Sequence, residues 1–502
     1  MVSVVGGERR VSAWWALVAL TALAAALRFS TLGAQSLWYD EAFTPVHVLH
    51  RGLAATLHAV VHTENTPPLW YVFEWAISRV LGTGAVALRL LSALAGVATV
   101  PVAWAIGREL SSRRAAVACA ALVAVNPLFV WYSQEARAYA LFVLFAAMAM
   151  LYFLRALREE SQLDRDSATL AAFAVSSSLA LLTHYFAVFL LAPMVLWLAF
   201  NSNRRRAVLG AIGAVGIVCL ALLPLISAQG GHGTQWIGRW ALWSRLQAIP
   251  QYYLTSYYGA ALGHGIELLV ALPILAGLGF GLWRVLTPRE ERGAAIALAV
   301  AAGGILLPIL LVALGADYLA PRNLVAAMIP VTALIAVVVT AQRTGHAGPA
   351  LAALIAIAFL AISLDVDLSP RLQRGNWRGL ARTLSHGAED RVITTVELGA
   401  APLEYYLPPL HNVPRGASVS VVEIDETGYA PLRRDAASPP APGFQLAGSR
   451  DINGLILYRF VSPVARTVSE ATLRRHVITL AHPEVLVSEH ITAEQAAANR
   501  DA

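Results

Sequence analysis

A chain of 502 residues that is 57% hydrophobic and only 14% charged carries more apolar surface than a soluble core can bury. Apolar runs long enough to cross a bilayer recur from about residue 12 to about residue 366, which makes the chain a polytopic α-helical membrane protein. The net charge of +6 does not point to nucleic acid, because the basic residues stand in short clusters between apolar runs rather than along one soluble face. All 37 strongly basic side chains are arginine, which removes Schiff-base and P-loop lysines and leaves the planar guanidinium fork as the strong phosphate clamp. Cys119 and Cys219 lie inside apolar runs, so neither a disulfide framework nor a zinc cluster follows from them.

In chain order, Arg9 and Arg10 precede the first apolar run, at about 12–30, and place the N-terminus in the cytoplasm. No small-residue cleavage site follows that run convincingly, so it is expected to stay as a span. Residues 67–81 contain Glu74 and Arg79 and are short for a span, whereas 86–107 are long enough and end in Arg108, Arg113 and Arg114. If only the second piece crosses, that cluster falls on one face with Arg155 and Arg158, Arg204 to Arg206, Arg284, Arg289, Arg292 and Arg343. Residues 67–81 then form an amphipathic helix on the outer surface, within an outer loop at 31–85. Further spans are expected at about 115–132, 138–156, 168–184, 186–201, 207–227, 265–285, 293–314, 324–341 and 349–366, about eleven in all. A transmembrane domain thus occupies 1–366. No internal repeat of the kind that builds two-halved transporters is evident.

After residue 367 the hydrophobic runs shorten to strand length, at 391–396, 418–424 and 454–460, with a helix near 377–385 and frequent Pro and Gly over 408–443. This predicts a small extracytoplasmic α/β domain over 367–502, with its last dozen residues frayed.

The chemistry-bearing residues collect in the outer loops. Trp38 and Tyr39 can be an interfacial aromatic belt, but a belt does not require Asp40 and Glu41 beside it, and two acids at a membrane surface are costly to place. A partly desolvated carboxylate suits a general base, with Asp40 the first candidate. His62 and Glu64 precede a Pro-Pro helix start and could serve as acceptor contacts or metal ligands, although the spacing is not a strong metal signature. Tyr132, Glu135, Arg137 and Tyr139 cluster at the second outer turn, where a guanidinium can hold a lipid-linked phosphate. His184 sits at a tight turn between spans, where a satisfied structural histidine is the bland alternative. Arg322, beside Tyr318, lies on the face that the positive-inside bias disfavours. A long loop over 229–264, with Gly233, Trp236, Trp240, Tyr252, Tyr253, Tyr257 and Tyr258, is compatible with a mobile lid or with stacking on sugars.

The order of these motifs carries a resemblance. Tyr39-Asp40-Glu41, Pro67-Pro68-Leu69-Trp70-Tyr71, Ser133-Gln134-Glu135-Ala136-Arg137-Ala138-Tyr139, Thr183-His184-Tyr185-Phe186, Pro321-Arg322-Asn323 and Asn376-Trp377-Arg378-Gly379 together resemble the GT-C membrane glycosyltransferases. The resemblance is greatest to bacterial relatives of protein O-mannosyltransferases and lipid A aminoarabinose transferases. It implies an inverting transfer of a sugar from a polyprenyl-phosphate donor to an extracytoplasmic acceptor, which could be cell-wall glycan, lipoglycan or protein. It implies a bacterial plasma-membrane location and carries catalytic roles onto Asp40, Glu41 and Glu135. Donor-phosphate contacts fall on Arg137, His184 and Arg322, with the leaving charge held by Arg137, Arg322 or a protonated His184, and sugar or acceptor contacts on Trp38, Tyr39, His62, Glu64, Tyr132, Tyr139 and Tyr318. A divalent metal ion stays open, because family members differ in needing one. Two departures stand out: relatives often have Asp at the position of Glu135, and the late motif commonly reads Arg-Tyr where this chain has Arg322-Asn323. The rival readings are a transporter or flippase of lipid-linked sugars, in which outer-face acids bind a cation or headgroup, and a silent scaffold whose tail binds glycan.

Overall fold

The computed structural model describes residues 2–158, 163–202, 204–232, 234–256, 264–284, 286–396, 398–407, 409–476, 478 and 483–488. Gly233, Tyr257, Tyr258 and the tail expected to fray lie outside the described residues. The helices run α1 Val2–Phe29, α2 Tyr39–Phe43, α3 Leu53–Thr63, α4 Leu69–Leu81, α5 Ala85–Leu110, α6 Arg113–Val125, α7 Pro127–Ser133, α8 Tyr139–Arg158, α9 Leu163–Thr183 and α10 Ala187–Asn201. They continue as α11 Arg205–Gln229, α12 Gln235–Arg239, α13 Leu242–Thr255, α14 His264–Trp283, α15 Pro288–Ala313, α16 Met328–Val339 and α17 Ala347–Leu368. The C-terminal part adds α18 Trp377–Leu384, β1 Arg391–Thr395, α19 Ala400–Tyr406, β2 Leu410–Asn412, β3 Ser418–Tyr429, β4 Gln445–Ile452, β5 Leu455–Ser469, α20 Glu470–Arg475 and β6 Glu484–Ser488.

These elements form two compact units, Met1–Leu32 with His50–Leu368, and Gly33–Leu49 with Ser369–Ala502. Every apolar run expected to span is helical in the first unit. Among the described residues, seven helices are long and apolar enough to cross a membrane, and an eighth if α6 and α7 count as one bent span. The apolar parts of α1, α9 and α10 are shorter.

Three local details differ from the sequence expectation. The run at 115–132 is broken at Asn126, because Pro127 biases its predecessor out of the helical region; Asn126 sits at φ −63°, ψ 129°, and its side chain caps α7 by accepting from the Leu128 and Phe129 N–H groups. The two halves meet at 54°. The loop over 229–264 is not an open aromatic lid where described: α13 buries Tyr252 and Tyr253, and the Tyr253 hydroxyl lies 3.0 Å from Thr332 Oγ1. On α4, Glu74 is buried beside Trp70, Tyr71 and Ser78, as i, i+4 spacing dictates. Neither of its carboxyl oxygens has a hydrogen-bond partner among the described residues, and burial pushes its pKa well above the carboxylate range. A charge counted against insertion in the sequence is thus biased by burial towards its neutral form in the fold.

In the second unit the sheet order is β2-β6-β1-β3-β5-β4, with β1 and β3 parallel and the remaining pairs antiparallel. Side chains alternate between its faces, so Val392, Val485 and Val487 join one core and Ile393 and Leu486 the other. α18 and α19 close the second core with Trp377, Leu380, Leu384 and Leu403, and Trp38 packs against it.

Candidate functional site

The first unit gathers its polar groups where helices turn. α3 ends at Thr63, and Glu64 takes an extended conformation that directs its side chain inward, leaving the residue 4% exposed. There it meets Arg137 fork to fork, Nη1 to Oε1 at 3.2 Å and Nη2 to Oε2 at 3.1 Å, the bidentate geometry that makes such pairs strong. Arg137 is held by a braced turn. The Gln134 amide donates to the Leu27 carbonyl at 2.9 Å and to Thr31 Oγ1 at 2.8 Å, and Ser92 Oγ donates to the Arg137 carbonyl at 3.2 Å. Beneath the turn, buried Arg28 donates to the Ala124 carbonyl at 2.8 Å and to Ser133 Oγ at 3.0 Å. α5 can approach this closely only because residue 96 is glycine, since any side chain there would collide with Ser133 Oγ and Arg28 Nε.

Around this pair lies an aromatic wall. His184, in the turn between α9 and α10, stacks on Phe142 at 4.8 Å and 12° and lies 5.8 Å from the Tyr139 ring, which in turn lies 4.8 Å from Tyr132. His184 Nδ1 accepts the Phe186 backbone N–H at 3.2 Å, so that nitrogen carries no proton. Burial, then Arg322 and Arg137, push its pKa down to about 3. The expectation of a protonated His184 is therefore corrected: the imidazole is neutral, and Nε2–H is its only donor. Arg322 stacks over Trp236 at 5.0 Å. The Tyr132 hydroxyl is buried with no hydrogen-bond partner among the described residues, and its electrostatic neighbours are Glu135, Tyr139, Tyr252 and Arg322. Glu64, Tyr132, Glu135, Arg137, Tyr139, His184 and Arg322 thus form one connected constellation in the first unit.

Other expected site residues stand elsewhere. His62 is exposed, its ring tilted 54° against that of His58 at 4.3 Å, whereas Glu64 just beyond α3 is buried. Tyr318 is 48% exposed, and its carbonyl, not its ring, accepts from Asn323. Among the described residues there is no group of three or more His, Cys, Asp or Glu side chains placed to hold a metal ion. Trp38, Tyr39, Asp40 and Glu41 belong to the second unit. Asp40 is half-buried in the first turn of α2, and Glu41 is fully buried with Oε2 3.8 Å from Arg374 Nε.

Sequence reasoning missed several supports. Gln229 donates to the Val60 carbonyl at 2.9 Å and the Thr66 carbonyl at 3.1 Å and accepts the Tyr185 hydroxyl at 2.6 Å, fixing the segment that carries Glu64. Arg245 grips Asp317 at 2.6 and 2.8 Å and the Leu319 carbonyl at 3.0 Å, bracing the approach to Arg322. The available signal was a polar residue closing an apolar run, as Gln229 closes α11.

A multi-pass helical unit with its charged constellation at one set of turns, joined to a C-terminal α/β unit, defines a membrane protein of the GT-C glycosyltransferase fold. Residues 65–228 match the family model described as dolichyl-phosphate-mannose-protein mannosyltransferase. Among solved structures, ArnT from Cupriavidus metallidurans bound to undecaprenyl phosphate is similar with a TM-score of 0.55 and 13% identity, covering 88% of this chain and 97% of that one. The same protein in the apo state gives 0.56 and 13%, covering 89% and 98%. The oligosaccharyltransferase AglB from Archaeoglobus fulgidus, in complex with an inhibitory peptide and a dolichol-phosphate, gives 0.49 and 14%, covering 80% and 60%. No curated protein sequence matches the chain.

Proposed function

We propose that the chain transfers a sugar, with inversion, from a polyprenyl-phosphate donor to an acceptor hydroxyl on the extracytoplasmic side of a bacterial plasma membrane. The observation that carries this reading is the meeting of Arg137, Arg322, neutral His184 and the Tyr132 hydroxyl in one buried constellation, which offers cations and neutral donors to a phosphate. The undecaprenyl phosphate bound to ArnT supports the donor class.

Asp40 accepts the proton as the acceptor O–H bond breaks. The acceptor oxygen forms its bond to the anomeric carbon on the face opposite the phosphate. The bond from that carbon to the phosphate oxygen breaks, and the electron pair departs with polyprenyl phosphate. Arg137, paired with Glu64, and Arg322, over the Trp236 ring, meet the charge of the leaving phosphate. Glu135 orients the sugar hydroxyls beside Tyr132 and Tyr139. The acceptor is a cell-wall glycan, a lipoglycan or a protein.

Thermal unfolding with a panel of polyprenyl-phosphate sugars tests the donor. The cognate compound at about 100 times its Kd stabilises by about 2.7 kcal/mol, and Arg322→Gln cuts that shift to about 1 kcal/mol. Equal stabilisation by uncharged polyprenols would contradict the reading.

A further inference from the structure

Residues 374–378, which overlap the Asn376-Trp377-Arg378-Gly379 motif, have no role in the chemistry above, yet they are where the acid-bearing segment is fastened. Arg374 donates from its backbone N–H at 3.1 Å and from Nη1 at 3.2 Å to the same Gln35 oxygen, while its Nε faces Glu41 Oε2 at 3.8 Å. Ser36 Oγ accepts the Arg378 N–H at 3.3 Å and donates to Asn376 Oδ1 at 3.3 Å, and Arg378 Nη2 donates to the Gly33 carbonyl at 3.3 Å. The Leu37 N–H donates to the Tyr406 hydroxyl at 2.8 Å, and His47 pairs with Glu404 at 3.2 Å. Asp40 sits in the middle of this fastened segment, in the first turn of α2, which a π-helical stretch over Thr44–Val48 continues; the whole helical stretch is too short to hold its direction unaided.

Resting on the transfer reading, we propose that Arg374 is a positioning residue: through Glu41 and Gln35 it holds α2 so that Asp40 meets the acceptor hydroxyl. Glu41 then has no contact with substrate. The side chains of Arg374 and Glu41 are 1% and 0% exposed, so solvent cannot replace either partner, and losing the guanidinium removes both the charge facing Glu41 and the donor to Gln35. A displacement of about 1 Å at a reacting group costs about 100-fold in rate. Lysine supplies a point charge but not the fork that reaches Gln35 and Glu41 together.

The test uses the full chain in lipid nanodiscs. Arg374→Gln is expected to lower kcat about 100-fold, with KM and thermal protection for the donor unchanged within about 3-fold, and Arg374→Lys recovers part of the loss. Hydrogen exchange of the 37–43 amides is expected to accelerate in Arg374→Gln, and exchange in the first unit to stay as in the wild type. Should that variant fail to fold, the neutral pair Glu41→Gln/Arg374→Met removes both charges together; it is expected to fold, to bind donor and to remain slow. Wild-type kcat in either folded variant overturns the proposal, as does a loss of donor binding as large as the loss of kcat. If the wild type makes no product with any donor, the transfer reading fails, and the fastening is judged by exchange alone: unchanged protection of 37–43 in Arg374→Gln overturns it.

Discussion

Glu64 in the first unit and Glu41 in the second are both buried acids facing an arginine, but the two pairs are built for different work. Glu64 and Arg137 meet fork to fork with the Arg137 side chain 13% exposed, whereas Glu41 and Arg374 are 3.8 Å apart and sealed at 0% and 1%. A pair that keeps an open edge can share its cation with an arriving phosphate. A sealed pair can only hold what is attached to it. In the second unit what is attached is Asp40, which keeps part of its surface accessible.

The widest contrast is between Asp40 and its neighbours. Asp40→Asn is expected to lower kcat about 1,000-fold or more, the range of a lost general base, while donor affinity stays within a few-fold. Radiolabelled transfer and thermal protection measured side by side separate those two quantities. Next, Arg137→Met strands Glu64 in a buried setting and is expected to cost about 3 kcal/mol of stability, the low end for a broken buried pair because Arg137 has an open edge. Adding Glu64→Gln to that variant is expected to return most of the loss in chemical denaturation. If it does not, the pair acts through something other than charge.

Under the transfer reading, Arg322→Gln is expected to weaken donor binding about 10- to 30-fold, while the lost stacking on Trp236 costs under about 1 kcal/mol of stability. His184 gives a pH prediction with a definite sign. Its folded pKa, about 3, lies below the ordinary value of 6.5, so the unfolded chain binds the extra proton. Its contribution is therefore complete above pH 6.5 and is lost as pH falls from there towards 3. Wild type and His184→Gln compared by denaturation between pH 5 and 8 should differ in slope only at the acid end. The smallest effect is expected at His62, exposed on α3, where His62→Ala leaves kcat/KM within about 2-fold.

Local signals in the sequence carried the helices, and long-range pairing carried what they missed. Each apolar run expected to span is helical because length and hydropathy are properties of one segment. The break at Asn126 was legible too, since a cap residue followed by Pro127 marks a helix start inside the run expected at 115–132. The grouping of Glu135, Arg137 and His184 followed from placing outer turns on one face. The neutrality of His184 did not, because it depends on Phe142, the Phe186 N–H and two arginines. The grouping of Gly33–Leu49 with the C-terminal part was equally hidden. Gln35 and Arg374 are 339 residues apart, and no periodicity in either segment announces the other.

Sugar transfer by the purified chain tests the central claim most directly. With a radiolabelled polyprenyl-phosphate sugar and a panel of glycan, lipoglycan and protein acceptors, the wild type should form labelled product, and folded Asp40→Asn should form about 1,000-fold less. Transbilayer movement of the labelled lipid in proteoliposomes, with no covalent product from any donor and acceptor, would contradict the account and establish the flippase reading.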